Sequence, residues 1–194
     1  VIYDLRGTNG SGKSTIVFEM MKVFEFAEHP YPFGSTDKPD YFFNECRALN
    51  LIVIGKYRTQ CGGCDGITSQ DRITSACRHW ALVEGRNVII EGSIVASVFD
   101  RWNKLAIQAN DDYTFCFLDT PVEVCIERVK SRRAEANNTD VFDPYKTLVP
   151  RFGQINRVWA KCLDAKRKCA VIEHQRAYAS FMELYNATHR RAVD

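Results

Sequence analysis

Apolar and polar positions follow one another in blocks that read as strands and helices in turn. Residues 1–5 form a short apolar stretch of strand type. After a glycine-rich interval, Ile16, Met20, Val23, Phe24 and Ala27 recur at helical spacing between Thr15 and Glu28. Residues 29–37 read as a short second strand whose start is made irregular by Pro30 and Pro32. Residues 44–48 read as helical, and residues 49–57 as an apolar strand rich in β-branched residues. Ser69 is placed to cap a helix running to about Glu84 and stopping at Gly85. Residues 87–93 read as a buried strand and residues 100–110 as a helix carrying Trp102. Residues 113–119 are another buried strand. Thr120 and Pro121 then open a helix with an apolar stripe of Val122, Cys125, Ile126 and Val129. Residues 134–143 are polar and suit a mobile lid or loop. Residues 145–168 read as a helix, 169–174 as a last strand, and 177–191 as a closing helix with Phe181, Leu184 and Tyr185 inward.

At 194 residues the chain is most simply one domain with enough length for a real core. The formal charge of +2 implies no nucleic-acid partner by itself. Its distribution says more. Residues 128–168 hold eleven Lys/Arg and four Asp/Glu, a local +7 against −5 for the rest. Such a bias can mark a surface that meets phosphates. No apolar run of about 18 residues is present, so no membrane partner is expected. Cys61-Gly62-Gly63-Cys64 is the single C-x-x-C. A zinc site normally takes four ligands and no second pair follows, so the stretch reads better as a glycine turn with incidental cysteines.

The interval between the first strand and helix is Gly7-Thr8-Asn9-Gly10-Ser11-Gly12-Lys13-Ser14-Thr15, which fits G-x-x-x-x-G-K-[ST] at every fixed position. Strand, glycine loop and helix are the context in which that motif binds a nucleoside triphosphate. The glycines let backbone N–H groups curl around a polyphosphate, and the helix N-terminus adds positive potential. Lys13 would reach the β- and γ-phosphates and the Ser14 hydroxyl would ligate Mg²⁺. A chain that uses ATP is expected in a reducing cytoplasm, with thiols rather than disulfides.

Four other places carry candidate chemistry. Glu91 stands at the end of a hydrophobic strand, before Gly92 releases the chain. An acid so placed can hold Mg²⁺ through water or accept a proton. Asp37 ends the second strand and either faces an acceptor or begins a surface turn with Lys38-Pro39-Asp40. The loop that carries Tyr57, Arg58, Gly62, Gly63 and Asp65 either receives the acceptor or simply connects. Arg128, Arg132 and Arg133 either clamp a transferring phosphoryl group or complement a helix C-terminus.

The glycine loop, Glu91-Gly92 and the stretch Phe117-Leu118-Asp119-Thr120-Pro121…Arg128…Arg132-Arg133 occur in the order of the phosphate-loop small-molecule kinases. Together they resemble the nucleoside, nucleotide and polynucleotide kinases over most of the chain. The resemblance implies an α/β three-layer sandwich: a parallel five-stranded sheet with helices on both faces, and a lid at about residues 130–145. It implies ATP and Mg²⁺ at Lys13, Ser14 and Glu91, lid arginines among Arg128, Arg132 and Arg133, and an acceptor-facing acid at Asp37. Glu91-Gly92-Ser93 departs from the Asp-Arg-aromatic of thymidylate kinases and the Glu-Arg-Ser of deoxynucleoside kinases. Tyr57-x-x-x-x-Gly62-Gly63-x-Asp65 resembles phage-encoded kinases, among them those that phosphorylate 5-hydroxymethyluracil within DNA. The expected activity is therefore ATP-dependent phosphorylation of a hydroxyl, with a modified pyrimidine in DNA as first acceptor and a free nucleoside or nucleotide as the alternative. For a phage enzyme the compartment would be the infected host's cytoplasm. Asp37 is the first candidate base, followed by Asp65 and Glu91. Tyr41, Phe42, Phe43 and Tyr57 are available to stack on an extruded base, and basic groups such as Lys161 and Arg167 to track a DNA backbone. A nucleotide-dependent switch would carry Asn-Lys-x-Asp, but Asn103-Lys104 lacks the acid.

Overall fold

The computed structural model describes residues 1–31, 41–59, 62–67, 69–137 and 142–190. Seven strands make one mixed sheet: β1 (Ile2–Arg6), β2 (Ala27–Pro30), β3 (Phe42–Cys46), β4 (Leu51–Ile54), β5 (Asn87–Glu91), β6 (Tyr113–Leu118) and β7 (Cys169–Ile172). Their order is β2-β3-β4-β5-β1-β6-β7. The five from β4 to β7 run parallel, with Leu5 opposite Glu91 on one side of β1 and opposite Cys116 on the other. The expected parallel five-stranded sheet is thus the larger part of a mixed seven-stranded one. The addition is an antiparallel pair, β2 and β3, at the β4 edge.

That edge corrects three expectations. Residues 44–48 are not helical, because Phe42–Cys46 is strand β3. Tertiary pairing overrides a weak local preference here. The Asn44 amide donates to the Gly55 carbonyl at 2.8 Å, and Phe43 stacks on His29 and packs against Trp80. The second strand begins earlier than expected, at Ala27, and its expected continuation over 32–37 lies outside the described residues. The first helix, α1 (Lys13–Val23), is correspondingly shorter than its apolar spacing suggests: Phe24 is already extended and Val23 is exposed.

The remaining helices are α2 (Gln70–Cys77), α3 (Ser93–Ala96), α4 (Asp100–Gln108), α5 (Val122–Glu135), α6 (Pro144–Asp164) and α7 (Ala177–Arg190). A π-helical turn, Arg78–Val83, continues α2. Strand alternation sorts the core into two layers. On one face Ile2, Ile52, Val88, Ile90 and Phe115 pack with Trp102 and Leu105 of α4 and with Ile155 and Val158 of α6. On the other, Tyr3, Leu5, Val53 and Ile89 pack with Ile16 and Met20 of α1 and Phe181 of α7. Both faces are covered, so β1, β5 and β6 read as continuous apolar runs. Asp4 and Arg6 are the fully buried exception. Arg6 donates twice to Asp4 Oδ2, at 2.9 and 2.6 Å, and Tyr113 donates to the same oxygen at 2.7 Å. The Arg6 guanidinium also reaches the Val98 carbonyl at 2.8 Å, tying β1 to the segment after α3.

Of the segment expected as a lid, 130–135 is the end of α5 and 144–145 the start of α6, where Asp143 caps the helix. Residues 138–141 lie outside the described residues. Seven described cysteines are free thiols, six of them buried.

Candidate active site

The five parallel strands end at one edge of the sheet, where open α/β folds place their ligands. β1 delivers Gly7, β5 delivers Glu91, β6 leads to Thr120, and β4 leads through Gly55 to Tyr57. Along this edge lies a cavity of about 1140 Å³. Asn9, Gly10, Gly12, Lys13, Ser14 and Thr15 line it from the glycine loop. Tyr57, Arg58, Asp65 and Glu91 line it from the β4 and β5 side, and Arg128 and Arg132 from α5. These residues stand far apart in the chain and are brought together only by the fold. Gly7 and Ser11 sit behind the loop, against a smaller cavity of about 270 Å³. Asp37 lies outside the described residues.

The loop conformation follows from its glycines. Gly10 and Gly12 have φ of +82° and +105°, a region that favours glycine. Thr120 donates to the Ser11 carbonyl at 2.7 Å and Arg128 to the Gly10 carbonyl at 3.2 Å, so the loop is held from β6 and α5. The Lys13 ammonium is turned inward onto the Gly7 and Thr8 carbonyls at 2.7 and 3.1 Å. Burial pushes its pKa down, opposed by the charge of Glu91.

Glu91 is almost wholly buried, and burial raises its pKa against the pull of Lys13 and of the Ser14 hydrogen bond. One carboxylate oxygen, Oε1, accepts from Ser14 Oγ at 2.7 Å and from the Tyr57 hydroxyl at 3.3 Å. The other acid of the cavity, Asp65, is exposed but engaged: its Oδ1 accepts the Ser93 N–H at 2.6 Å. Ser93 in turn bonds Asn9, linking β5's end to the glycine loop. Ser14 and Glu91 are adjacent hard oxygen donors beside a lysine. That donor set suits Mg²⁺, which takes few protein ligands and completes its shell with phosphates and water. Among the described residues no group of three His, Cys, Asp or Glu could form a metal cage, and Cys61 lies outside them.

Arg128 stands mid-helix rather than at the end of α5, and Arg132 follows one turn later on the same face. Arg133 packs over Phe142 instead, 4.5 Å from its ring. The aromatics proposed for base stacking divide. Tyr41 is buried against Tyr31 and Phe43 against His29 and Trp80. Phe42 is covered by Lys56 and Arg58, so only Tyr57 borders the cavity. Arg167 bonds Asn103 at 2.6 Å, while Arg157 and Lys161 are exposed on α6. His174 and Ser93 also line the cavity, though the sequence pattern does not single them out. His174 follows β7 and approaches Asp119 through both its N–H and its ring; its position at a parallel-strand end is the available signal.

A family model described as 5-hmdU DNA kinase matches residues 1–155. The 5-hmdU DNA kinase of Pseudomonas phage PaMx11 is 35% identical over 140 residues, covering 70% of this chain and 71% of that protein. The 5-hmdU DNA kinase 1 of Salmonella phage ViI is 28% identical over 139 residues, covering 70% of this chain and 61% of that protein. A solved gluconokinase from Sinorhizobium meliloti 1021 superposes with a TM-score of 0.47 at 14% identity, over 97% of this chain and 95% of that one.

Proposed function

We propose, for a chain that belongs to the 5-hmdU DNA kinase family, that it transfers the γ-phosphate of ATP to the hydroxymethyl oxygen of 5-hydroxymethyluracil in phage DNA. The observation that carries the reading is the convergence of Lys13, Ser14 and Glu91 at one corner of the cavity, with Arg128 and Arg132 lining the same cavity. Family membership supplies the acceptor.

The roles follow from chemistry. The glycine-loop N–H groups bind the phosphates of ATP. Lys13 leaves the Gly7 and Thr8 carbonyls and meets the β- and γ-phosphate oxygens. Mg²⁺ held by Ser14 and Glu91 would neutralise charge on those oxygens. The acceptor oxygen attacks phosphorus in line, the bond to the β-phosphate oxygen breaks, and ADP leaves. Arg128 and Arg132 face charge that builds on the transferring group. The base takes the acceptor's proton. Glu91 is engaged by Ser14 and Tyr57, and Asp65 by Ser93, which favours Asp37 as that base.

The acceptor base must leave its stack to reach a cavity of this kind. The exposed cations of α6, Arg157 and Lys161, would hold the flanking backbone. The test is transfer of ³²P from γ-labelled ATP to free nucleosides, nucleotides, plain DNA and DNA containing 5-hydroxymethyluracil. Label is expected in the modified DNA alone. Label confined to free nucleotides would overturn the acceptor while leaving the kinase.

A further inference from the structure

The motif Tyr57-x-x-x-x-Gly62-Gly63-x-Asp65 suggests substrate contact when read as sequence. Its geometry is directed elsewhere, at the end of β5. Tyr57 is 8% exposed, and its ring packs edge-on against Phe18 with centroids 5.6 Å apart and has Gly62 against it. A Cβ on Gly62 would lie 2.6 Å from the Tyr57 ring atom Cε1. A Cβ on Gly63 would lie 2.6 Å from the carboxyl carbon of Glu91 and equally close to its backbone oxygen. Gly55, with φ of +117°, lets the β4 end approach Gly63, to which a Cβ would come within 2.7 Å of Cα. Asp65 holds the next turn by accepting the Ser93 N–H. Each recognisable position of the motif therefore touches Glu91, the residue that holds it, or the residues just after it.

Ser14 and Tyr57 donate to the same carboxylate oxygen. The two donors are not equivalent. A hydroxyl that ligates Mg²⁺ gives a lone pair to the ion, so the ion as well as Glu91 sets where its proton points. Tyr57 faces no such competing demand, because it is buried and its ring is fixed.

We infer that Tyr57 is a positioning residue for the metal corner, its hydroxyl keeping the Glu91 carboxylate aimed at Ser14 when the Ser14 hydroxyl turns to the ion. The inference rests on the reading of Ser14 and Glu91 as the Mg²⁺ corner. It moves Tyr57 from the acceptor to the metal, and it gives Gly62 and Gly63 a purpose: they make the space in which the ring and the carboxylate meet.

The experiment is Tyr57→Phe, which removes one oxygen and leaves the ring. ATP affinity is measured by calorimetry in EDTA and again in excess Mg²⁺, with no acceptor present, alongside thermal melting of the free protein. For the native chain Mg²⁺ should tighten ATP binding. In Tyr57→Phe the affinity in EDTA should be preserved, while the gain from Mg²⁺ falls by about 10- to 100-fold, the usual effect of losing a group that orients a metal ligand. Gly62→Ala, which displaces the ring by a different route, should show the same selective loss. An unchanged Mg²⁺ gain in Tyr57→Phe overturns the inference, as does an equal fall in both affinities, which is what a merely structural role predicts. If Mg²⁺ gives the native chain no gain at all, the metal corner fails and the inference with it. Because no acceptor enters the cell, failure to phosphorylate DNA would not produce any of these outcomes.

Discussion

Gly63→Ala isolates the claim that the loop after β4 is shaped around Glu91. Gly63 has φ of +88° and ψ of −155°, an extended region almost confined to glycine, where an L side chain strains the backbone by roughly 1–3 kcal/mol. The added Cβ would also stand 2.6 Å from both the carboxyl carbon and the backbone oxygen of Glu91. One of these contacts is to backbone in a central strand, so side-chain rotation alone cannot relieve it. Overpacking of this kind costs about 1–3 kcal/mol. The two effects together give a loss of about 2 to 6 kcal/mol, or about 4 to 24 °C in melting temperature for a chain of this size. Gly66→Ala is the control. It lies in the same loop, its φ is unremarkable, and nothing stands within 4 Å of a Cβ there. Thermal and urea unfolding of the two variants, each compared with the native chain, is the assay. Phosphoryl transfer should fall in Gly63→Ala beyond any loss of folded protein and be unaltered in Gly66→Ala. If both variants melt and turn over like the native chain, Glu91 does not need the space that Gly63 leaves, and the account of this loop is wrong.

Lys13→Ala should lower kcat by about 10²- to 10³-fold, the effect of removing one donor to developing negative charge, with the far-UV circular dichroism unchanged; single-turnover transfer at saturating ATP checks it, and undiminished turnover would reject the site. Asp37→Asn should cut turnover by about 10²- to 10⁴-fold, the range for a general base, with a much smaller effect on ATP affinity. Unaltered turnover in that variant would pass the role to Asp65 or Glu91. Reversing Arg157 and Lys161 to Glu should weaken duplex binding and flatten the slope of log affinity against log salt by about 2 or more, since each phosphate contact contributes close to one unit. A slope identical to that of the native chain would remove α6 from the DNA surface.

What the sequence reveals and what it hides divide along a physical line. The glycine loop is legible because its requirements are local: positive φ at Gly10 and Gly12, a helix starting at Lys13, and an apolar strand before it. Glu91 is legible for a similar reason, since an acid that ends a run of Val88, Ile89 and Ile90 must emerge at the strand's carboxyl edge. The β2–β3 pair is not. Phe42-Phe43-Asn44-Glu45-Cys46 shows no clean alternation, and what makes Asn44 a strand residue is the Gly55 carbonyl eleven positions away. Likewise Tyr41 and Phe43 look available to a nucleobase until Tyr31, His29 and Trp80 are found against them.

Gly62-Gly63 shows the same division within one motif. Its spacing from Tyr57 and Asp65 is visible in the chain, but its meaning is not, because the carboxylate it accommodates lies 28 residues beyond Gly63 in sequence. A glycine selected for its own backbone freedom would tolerate any neighbour. Gly63 instead answers two constraints at once, its own φ and the approach of Glu91, and Gly55 meets a similar pair against Gly63. Substitution at one of these positions therefore disturbs the others, so the loop should respond as a unit. Pairing Gly63→Ala with Tyr57→Phe should give a combined loss of Mg²⁺-dependent ATP binding well short of the sum of the separate losses, as expected for residues acting through one shared partner. Additive losses would mean that the two residues act on Glu91 independently, or not through it at all.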